Sequence, residues 1–259
     1  MSSNSNIIAL TMGDPSGVGT EIAIRAKIKK IKKPDFFIIH DIDFVKKILK
    51  KMKSKLKVRE ISSPSEVKKL PKNYLAVLPI KISKNTQLGK KNLSNVKSIL
   101  TSIDLAVKLA KNGEVAAIVT NPINKDVIGK KVKNFKGHTE YLAKKDRTND
   151  QLMMMMNKNL KTIPLTTHIA INKVSNKINK KNIIKAIINA NVSLRKDFKI
   201  KKPRIAVTAL NPHAGDGGLI GDDEKVKILP AIKYCKKKKI SVEGPLPADS
   251  AFIKNNQNK

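Results

Sequence analysis

An α/β fold with a largely parallel sheet is what this sequence predicts, and three observations carry the prediction. Short apolar runs rich in β-branched residues stop at Asn-Pro or at glycine, as buried strands do when they hand over to a loop. Between them lie segments with apolar residues three or four positions apart, the spacing of helices that cover a sheet. The third observation is size: 259 residues, 40% of them hydrophobic, can bury a sizeable core in one large domain or two smaller ones.

The first strand is expected at residues 6–12, followed by the turn Gly13-Asp14-Pro15-Ser16-Gly17-Val18-Gly19 and a helix opened by Thr20 and Glu21. A strand, a glycine-rich turn and a helix N-terminus can bind phosphate, yet neither the Walker A spacing nor GxGxxG is present. The stretch reads equally as a tight turn that places Asp14 at the sheet edge. A strand at 36–40 ends in His40, read as structural, and a helix over 43–53 and a strand near 58–61 follow. Residues 78–89 look looser. Val96, Ile99, Leu100, Ile103, Val107 and Ala110 predict an amphipathic helix over 94–112, closed by Gly113. Residues 115–120 predict another buried strand, ended by Asn121-Pro122.

In the second half, Met153-Met154-Met155-Met156 predicts a core strand, because four successive methionines cannot all face one side. His168 closes the apolar run 163–167 as a strand end, and an amphipathic helix covers 181–198. The run 204–210 is a buried strand that ends in Asn211-Pro212-His213-Ala214-Gly215-Asp216-Gly217-Gly218, where the glycines allow tight turns and close approach to a ligand. A helix through Val226, Leu229 and Ile232 is bent at Pro230, and residues 242–250 form a rigid loop that carries Asp249, by default a helix cap. The expected domains are 1–130 and 131–259.

The formal net charge of +34 raises the possibility of nucleic-acid binding. The details oppose it: the charge is almost all lysine rather than arginine, and aromatic content is 3% with no tryptophan to stack on bases. Lysines interleaved with Ile, Leu and Val are solvated helix faces, although a positive field would attract a phosphorylated small molecule. Cys235 is the only cysteine, which excludes an internal disulfide, a cysteine-based zinc site and a CxxC redox pair. The N-terminus has no basic region before its short apolar segment, and no apolar run is long enough to span a bilayer, so a soluble cytoplasmic protein is expected.

His138-Thr139-Glu140 matches the first half of a zinc deaminase signature, but Pro-Cys-x-x-Cys is missing, as are HExxH and GxSxG. What remains is histidines, carboxylates and hydroxyls where strands of an α/β sheet end, the place where such folds bind ligands. That set suits a metal acting as a Lewis acid on a small oxygenated substrate.

Six stretches occur together and in order: residues 9–19, Thr120-Asn121-Pro122-Ile123-Asn124-Lys125, residues 135–143, Thr166-Thr167-His168, residues 210–218 and Gly244-Pro245-Leu246-Pro247-Ala248-Asp249. Together they resemble the 4-hydroxythreonine-4-phosphate dehydrogenases of vitamin B6 synthesis. The resemblance implies an isocitrate/isopropylmalate dehydrogenase-like two-domain α/β fold and a homodimer with its active site at the subunit interface. It implies oxidation of a phosphorylated substrate's secondary alcohol by NAD or NADP. The β-keto acid formed would lose carbon dioxide to give 3-amino-2-oxopropyl phosphate. Carried over by residue, His168 and His213 would bind a divalent metal (zinc, magnesium or cobalt), and His138 and Thr139 would contact substrate. Asp249 would stand beside the metal, orienting it or taking a proton.

Members of that family continue past the point where this sequence stops, with a third metal-binding histidine and later Lys, Asn and Arg residues that hold substrate. The expectation is therefore a shortened version of the enzyme with a weaker metal site. The competing expectations are a sister enzyme acting on 4-phosphothreonate or 4-phosphoerythronate, and an inactive basic binding protein.

Overall fold

Parallel strands buried on both faces need apolar side chains on both sides, and Phe36-Phe37-Ile38-Ile39 supplies them by simple alternation. In the structure, a computed structural model that describes residues 6–29, 34–157 and 160–253, this run is the heart of the first of two units, Met1–Asn149 and Asp150–Lys259. The first unit contains β1 (Ile7–Leu10), α1 (Gly19–Ile28), β2 (Asp35–His40), α2 (Ile42–Lys51), β3 (Lys57–Glu60), β4 (Tyr74–Pro79), α3 (Val96–Lys111), β5 (Ala117–Val119), α4 (Lys125–Gly129) and α5 (His138–Asp146). Its five strands pair in the order β3-β4-β2-β1-β5, and every pairing is parallel.

The two faces of this sheet have separate cores. Ile7, Ala9, Phe37, Ile39, Ala76 and Leu78 pack against Ala106 and Leu109 of α3 on one side. Leu10, Phe36, Ile38, Leu75 and Val77 pack against Ala23 and Ile24 of α1 and Phe44, Val45, Ile48 and Leu49 of α2 on the other. Each fully buried Phe, Ile or Leu contributes about 1.5–3 kcal/mol, so this double-sided core is what keeps the strand ends in register. Capping sets the helix starts: the Asp41 carboxylate accepts from Phe44 N–H at α2, and the Asn124 side chain accepts from Val127 N–H at α4.

Two expectations for this unit need correction. No strand was expected at residues 74–77 and the loose region was set to begin at 78, yet the Leu-Ala-Val-Leu run of β4 is an interior strand between β2 and β3. β5 was read as buried, but among the described residues it is an edge strand with β1 as its one partner, which leaves Ala117 exposed and Val119 46% exposed. The segment 131–149 groups with this unit rather than with the residues after it. Tyr141 Oη donates to Asp104 Oδ1 at 2.9 Å and Lys145 Nζ donates to Asp104 Oδ2 at 2.7 Å, which ties α5 to α3.

The second unit contains β6 (Met155–Met156), β7 (Lys161–Thr162), α6 (Val174–Lys177), α7 (Lys180–Lys196), β8 (Ile205–Thr208), α8 (Leu229–Lys237) and β9 (Val242–Leu246). Its core is Ile183 and Ile187 of α7 against Ala231, Ile232 and Cys235 of α8, closed by Val242 and Ile228. β8 pairs with β9 in parallel, so the expected loop at 242–250 is a strand in its first half. Pro230 lies in the first turn of α8, where its missing N–H costs nothing, and a π-helical turn, Glu224–Ile228, leads into it. The methionine run is not a core strand. Met155 and Met156 form a two-residue antiparallel pairing with β7 and are 56% and 57% exposed. Residues 163–170 are irregular, so His168 does not end a strand, because Pro164 interrupts the run and its neighbour Leu165 is exposed. Among the described residues no helix is long and apolar enough to cross a membrane.

Candidate active site

In the first unit, the loop after β1 and the Asn-Pro turn after β5 leave neighbouring strands at the same end of a parallel sheet, and the backbone joins them. Thr11 N–H donates to Val119 O at 3.0 Å, and Asp14 N–H donates to Pro122 O at 2.8 Å. The fully buried Thr11 accepts from Asn121 N–H at its Oγ1, while Asn121 Nδ2 donates to Thr11 O at 3.0 Å. Gly13 adopts φ +71°, and a Cβ there would stand 2.6 Å from Asn121 Cβ and 2.7 Å from Pro122 O. The loop therefore requires glycine for space as well as for conformation. Asp14 closes its own turn, accepting from Ser16 N–H at Oδ1 and from Gly17 N–H at its carbonyl.

Asn121-Pro122 leads into α4, which begins with Lys125, and α5 begins with His138 one residue after Gly137. A Cβ on Gly137 would lie 3.2 Å from Lys125 Cε and 3.3 Å from Lys125 Nζ, and Gly137 has φ +151°. The lysine head therefore passes close to the backbone that starts α5. His138 is half-buried and its Nε2 is buried without a hydrogen-bond partner among the described residues. Burial first, and the Lys125 charge second, push the His138 imidazole below its ordinary range, so it is neutral at physiological pH. Thr139 is partly buried at the next position. A neutral ring with a free nitrogen, a hydroxyl and a cation can hydrogen-bond a polar, anionic small molecule.

The anchoring of α5 sets the direction of that ring. The Asp104 carboxylate holds both Tyr141 and Lys145, and Phe135 lies 5.9 Å from the Tyr141 ring. Burial and the Asp104 contact push the Tyr141 phenol above its usual range, so it stays protonated and donating.

His40, read as structural, is structural. It is 1% exposed, hydrogen-bonded through Nε2 to Thr20 Oγ1 at 2.9 Å, and its Nδ1 accepts from Asp41 N–H at 2.8 Å. The Nδ1 acceptor role fixes the tautomer with hydrogen on Nε2, which donates to Thr20. Burial lowers its pKa to about 4, against smaller opposing effects of Asp41.

In the second unit His213 sits in the loop after β8. Asn211 Oδ1 accepts from His213 N–H at 3.0 Å and Gly215 N–H at 3.1 Å, an Asx turn that shapes the loop. The buried Glu224 carboxylate accepts from Leu210 N–H at 2.9 Å, and a Cβ on Gly215 would meet Glu224 Oε2 at 2.9 Å. Lys225 Nζ donates to Gly217 O. His213 itself is exposed, as is His168, which has φ +56° in its irregular segment. Asp249 is exposed in the turn after β9 and caps no helix. Imidazole and carboxylate are suitable donors for zinc or cobalt. Among the described residues, however, no three His, Cys, Asp or Glu side chains gather into a set that could hold a metal ion, so they do not by themselves form a complete metal site.

Asn121, Lys125 and Glu224 were not singled out from the sequence. The first two lie inside a motif that was noticed. Glu224 had no such signal, because Asp222-Asp223-Glu224 reads as a solvated acidic run and only folding buries its last member.

Residues 32–259 match the family described as pyridoxal phosphate biosynthetic protein PdxA. The 4-hydroxythreonine-4-phosphate dehydrogenase of Pseudoalteromonas translucida is 32% identical over 95% of this chain and 74% of its own length. The protein of the same name from Wigglesworthia glossinidia brevipalpis is 35% identical with the same coverage. The crystal structure of 4-hydroxythreonine-4-phosphate dehydrogenase from Klebsiella pneumoniae superposes with a TM-score of 0.90 at 32% identity, over 98% of this chain and 78% of that one. Sequence and fold agree over nearly the whole chain, and the chain belongs to the PdxA family of pyridoxal phosphate biosynthetic proteins.

Proposed function

We propose that this chain is a 4-hydroxythreonine-4-phosphate dehydrogenase of pyridoxal 5'-phosphate synthesis. Membership of the family supports the reaction class, and one observation at the site carries the reading: a neutral histidine, His138, offers a buried, unpaired Nε2 at the start of α5. In the proposed reaction the secondary alcohol of 4-hydroxythreonine 4-phosphate loses a hydride to NAD+ or NADP+ and its hydroxyl proton to a base, leaving a ketone. The resulting β-keto acid releases carbon dioxide and yields 3-amino-2-oxopropyl phosphate. When bound, the nicotinamide supplies the hydride acceptor and a divalent metal lowers the pKa of the alcohol.

This chain's own residues bind, orient and move the proton. His138 Nε2 and the Thr139 hydroxyl fix the substrate by hydrogen bonds, and the neutral state of His138 leaves its ring able to accept as well as donate. The Asp249 carboxylate is the proposed proton acceptor. His168 and His213 are this chain's proposed contribution to a divalent metal. The working form is proposed to be a cytoplasmic homodimer.

The test is reduction of NAD+ or NADP+ by the purified chain with 4-hydroxythreonine 4-phosphate, beside 4-phosphothreonate and 4-phosphoerythronate. The reading requires turnover on the aminated substrate and its loss in His138→Ala. Preference for either non-aminated substrate would instead favour the sister enzymes, and absence of turnover on all three would overturn the proposal.

A further inference from the structure

What sets Lys125 apart is its position, since Lys130, Lys131, Lys133 and Lys136 also lack a carboxylate partner among the described residues. Lys91 is within 3.4 Å of Asp126, Lys111 within 3.2 Å of Asp146 and Lys145 within 2.7 Å of Asp104, whereas Lys125 has no carboxylate partner among the described residues. Its head lies against Gly137, 3.3 Å from where a Cβ would stand, and its charge acts on His138, whose Nε2 is buried and unpaired among the described residues. An ammonium left without a counter-ion, beside a hydrogen-bonding group without a partner, leaves both positive charge and hydrogen-bonding capacity for a molecule from solution. The N-terminal end of α5, a helix of nine residues, adds its partial positive charge at the same place.

We infer that Lys125 is a substrate-binding residue whose ammonium, lying across the Cα of Gly137, takes an oxygen of the substrate's phosphate. The inference rests on the proposed reaction, which gives the substrate that phosphate. It assigns a second role to the same charge. Together with burial, Lys125 disfavours the imidazolium form of His138, so the ring meets the phosphate as a hydrogen-bonding group rather than as a competing cation. Glu140 on α5 is also charged and near this corner, with Oε2 3.8 Å from where a Cβ on Gly137 would stand, and Lys136 directly precedes that glycine. Gly137 is glycine because its backbone, at φ +151°, is one that residues with a side chain rarely adopt.

The test uses the full chain and inorganic phosphate as the probe, with binding followed by calorimetry and His138 titration followed by imidazole nitrogen chemical shifts. Lys125 is exposed at the start of α4, so Lys125→Met and Lys125→Gln should keep the fold. Both are expected to weaken phosphate binding by about 10- to 100-fold, the usual effect of losing one charge-assisted bond, and to let His138 titrate at a higher pH. Lys125→Arg should recover most of the affinity, and Lys130→Met, which removes a charge from the end of the same helix, should change neither readout. Unchanged phosphate affinity or an unchanged His138 titration in Lys125→Met would overturn the assignment, as would failure of the wild-type chain to bind phosphate. The two readings fail separately. A chain that loses phosphate in Lys125→Met yet never oxidises the substrate would sink only the proposed reaction. A chain that oxidises it with an unchanged KM in Lys125→Met would sink only this inference.

Discussion

The loop after β1 and the loop after β8 are both glycine-rich and both leave the carboxyl end of a parallel strand, yet they are held in different ways. Around Gly13 the chain is buried and the lock is close packing: backbone meets backbone, and space exists only because a side chain is missing. Around His213 the chain is largely exposed. Residues 214–218 all have positive φ, including Ala214 at 53° and Asp216 at 43°, conformations that cost a non-glycine residue about 1–2 kcal/mol each. What offsets them is polar: Asn211 gathers two N–H groups, Glu224 grips Leu210, and Lys225 reaches Gly217. The first loop should therefore fail when atoms are added, and the second when they are removed.

The largest effect is expected from Gly13→Ala. The added methyl would overlap Asn121 Cβ and Pro122 O in a backbone region unfavourable to alanine. Left-handed strain of about 1–2 kcal/mol and overpacking of about 1–3 kcal/mol together predict a loss of about 2–5 kcal/mol. Gly17→Ala is the control, since its nearest neighbour would be Asp14 O at 3.4 Å. Chemical denaturation of the two variants sets the contrast, and equal stability would refute the packing account of this loop.

Acid offers a second way to loosen the packed side. His40 holds Thr20, in the first turn of the helix that follows the Gly13 loop. Its folded pKa is about 4 against an ordinary 6.5, so the unfolded chain takes up the proton first as pH falls. The stability tied to this group is full above pH 6.5 and declines as pH drops towards 4, by about 3 kcal/mol over that window. Unfolding measured across the window should show a flatter pH dependence in His40→Phe than in the wild-type chain. Parallel curves would mean that the ring is protonated without cost in the folded state.

The same contrast explains what could be read from the sequence. Packing is written in local pattern: Phe36 to Ile39 announced a strand buried on both faces, and the spacing from Val96 to Ala110 announced the helix that covers one of them. His40 was read as structural because nothing beyond its place at a strand end marked it. Polar tethers are not local. Asp104 and Tyr141 are 37 positions apart, and Leu210 and Glu224 are 14 apart, so no periodicity marks them. The methionine run misled because hydrophobic composition was taken as burial, while the short pairing at Met155 and Met156 leaves both side chains largely in solvent. For the site, the motif that contained Lys125 was visible, but its missing counter-ion is a property of the fold.

The smallest effect, and the one that most sharpens the contrast, is expected at Glu224. Glu224→Ala leaves Leu210 N–H without its acceptor and Gly215 without the carboxylate it lies against, while adding no atom anywhere. Loss of a partner for a buried or half-buried donor costs about 1–3 kcal/mol. Since the tether joins the end of β8 to the π-helical turn, the cost should fall on the His213 loop, not on the core of α7 and α8. Hydrogen exchange would then speed up at Leu210 and Gly215 more than at Ile187 or Ile232. Glu224→Gln keeps an acceptor oxygen at the same reach and should recover most of the protection. A packed loop would show the opposite ranking, with the smaller alanine tolerated and the loop unchanged, and that result would remove the distinction between the two halves of the molecule.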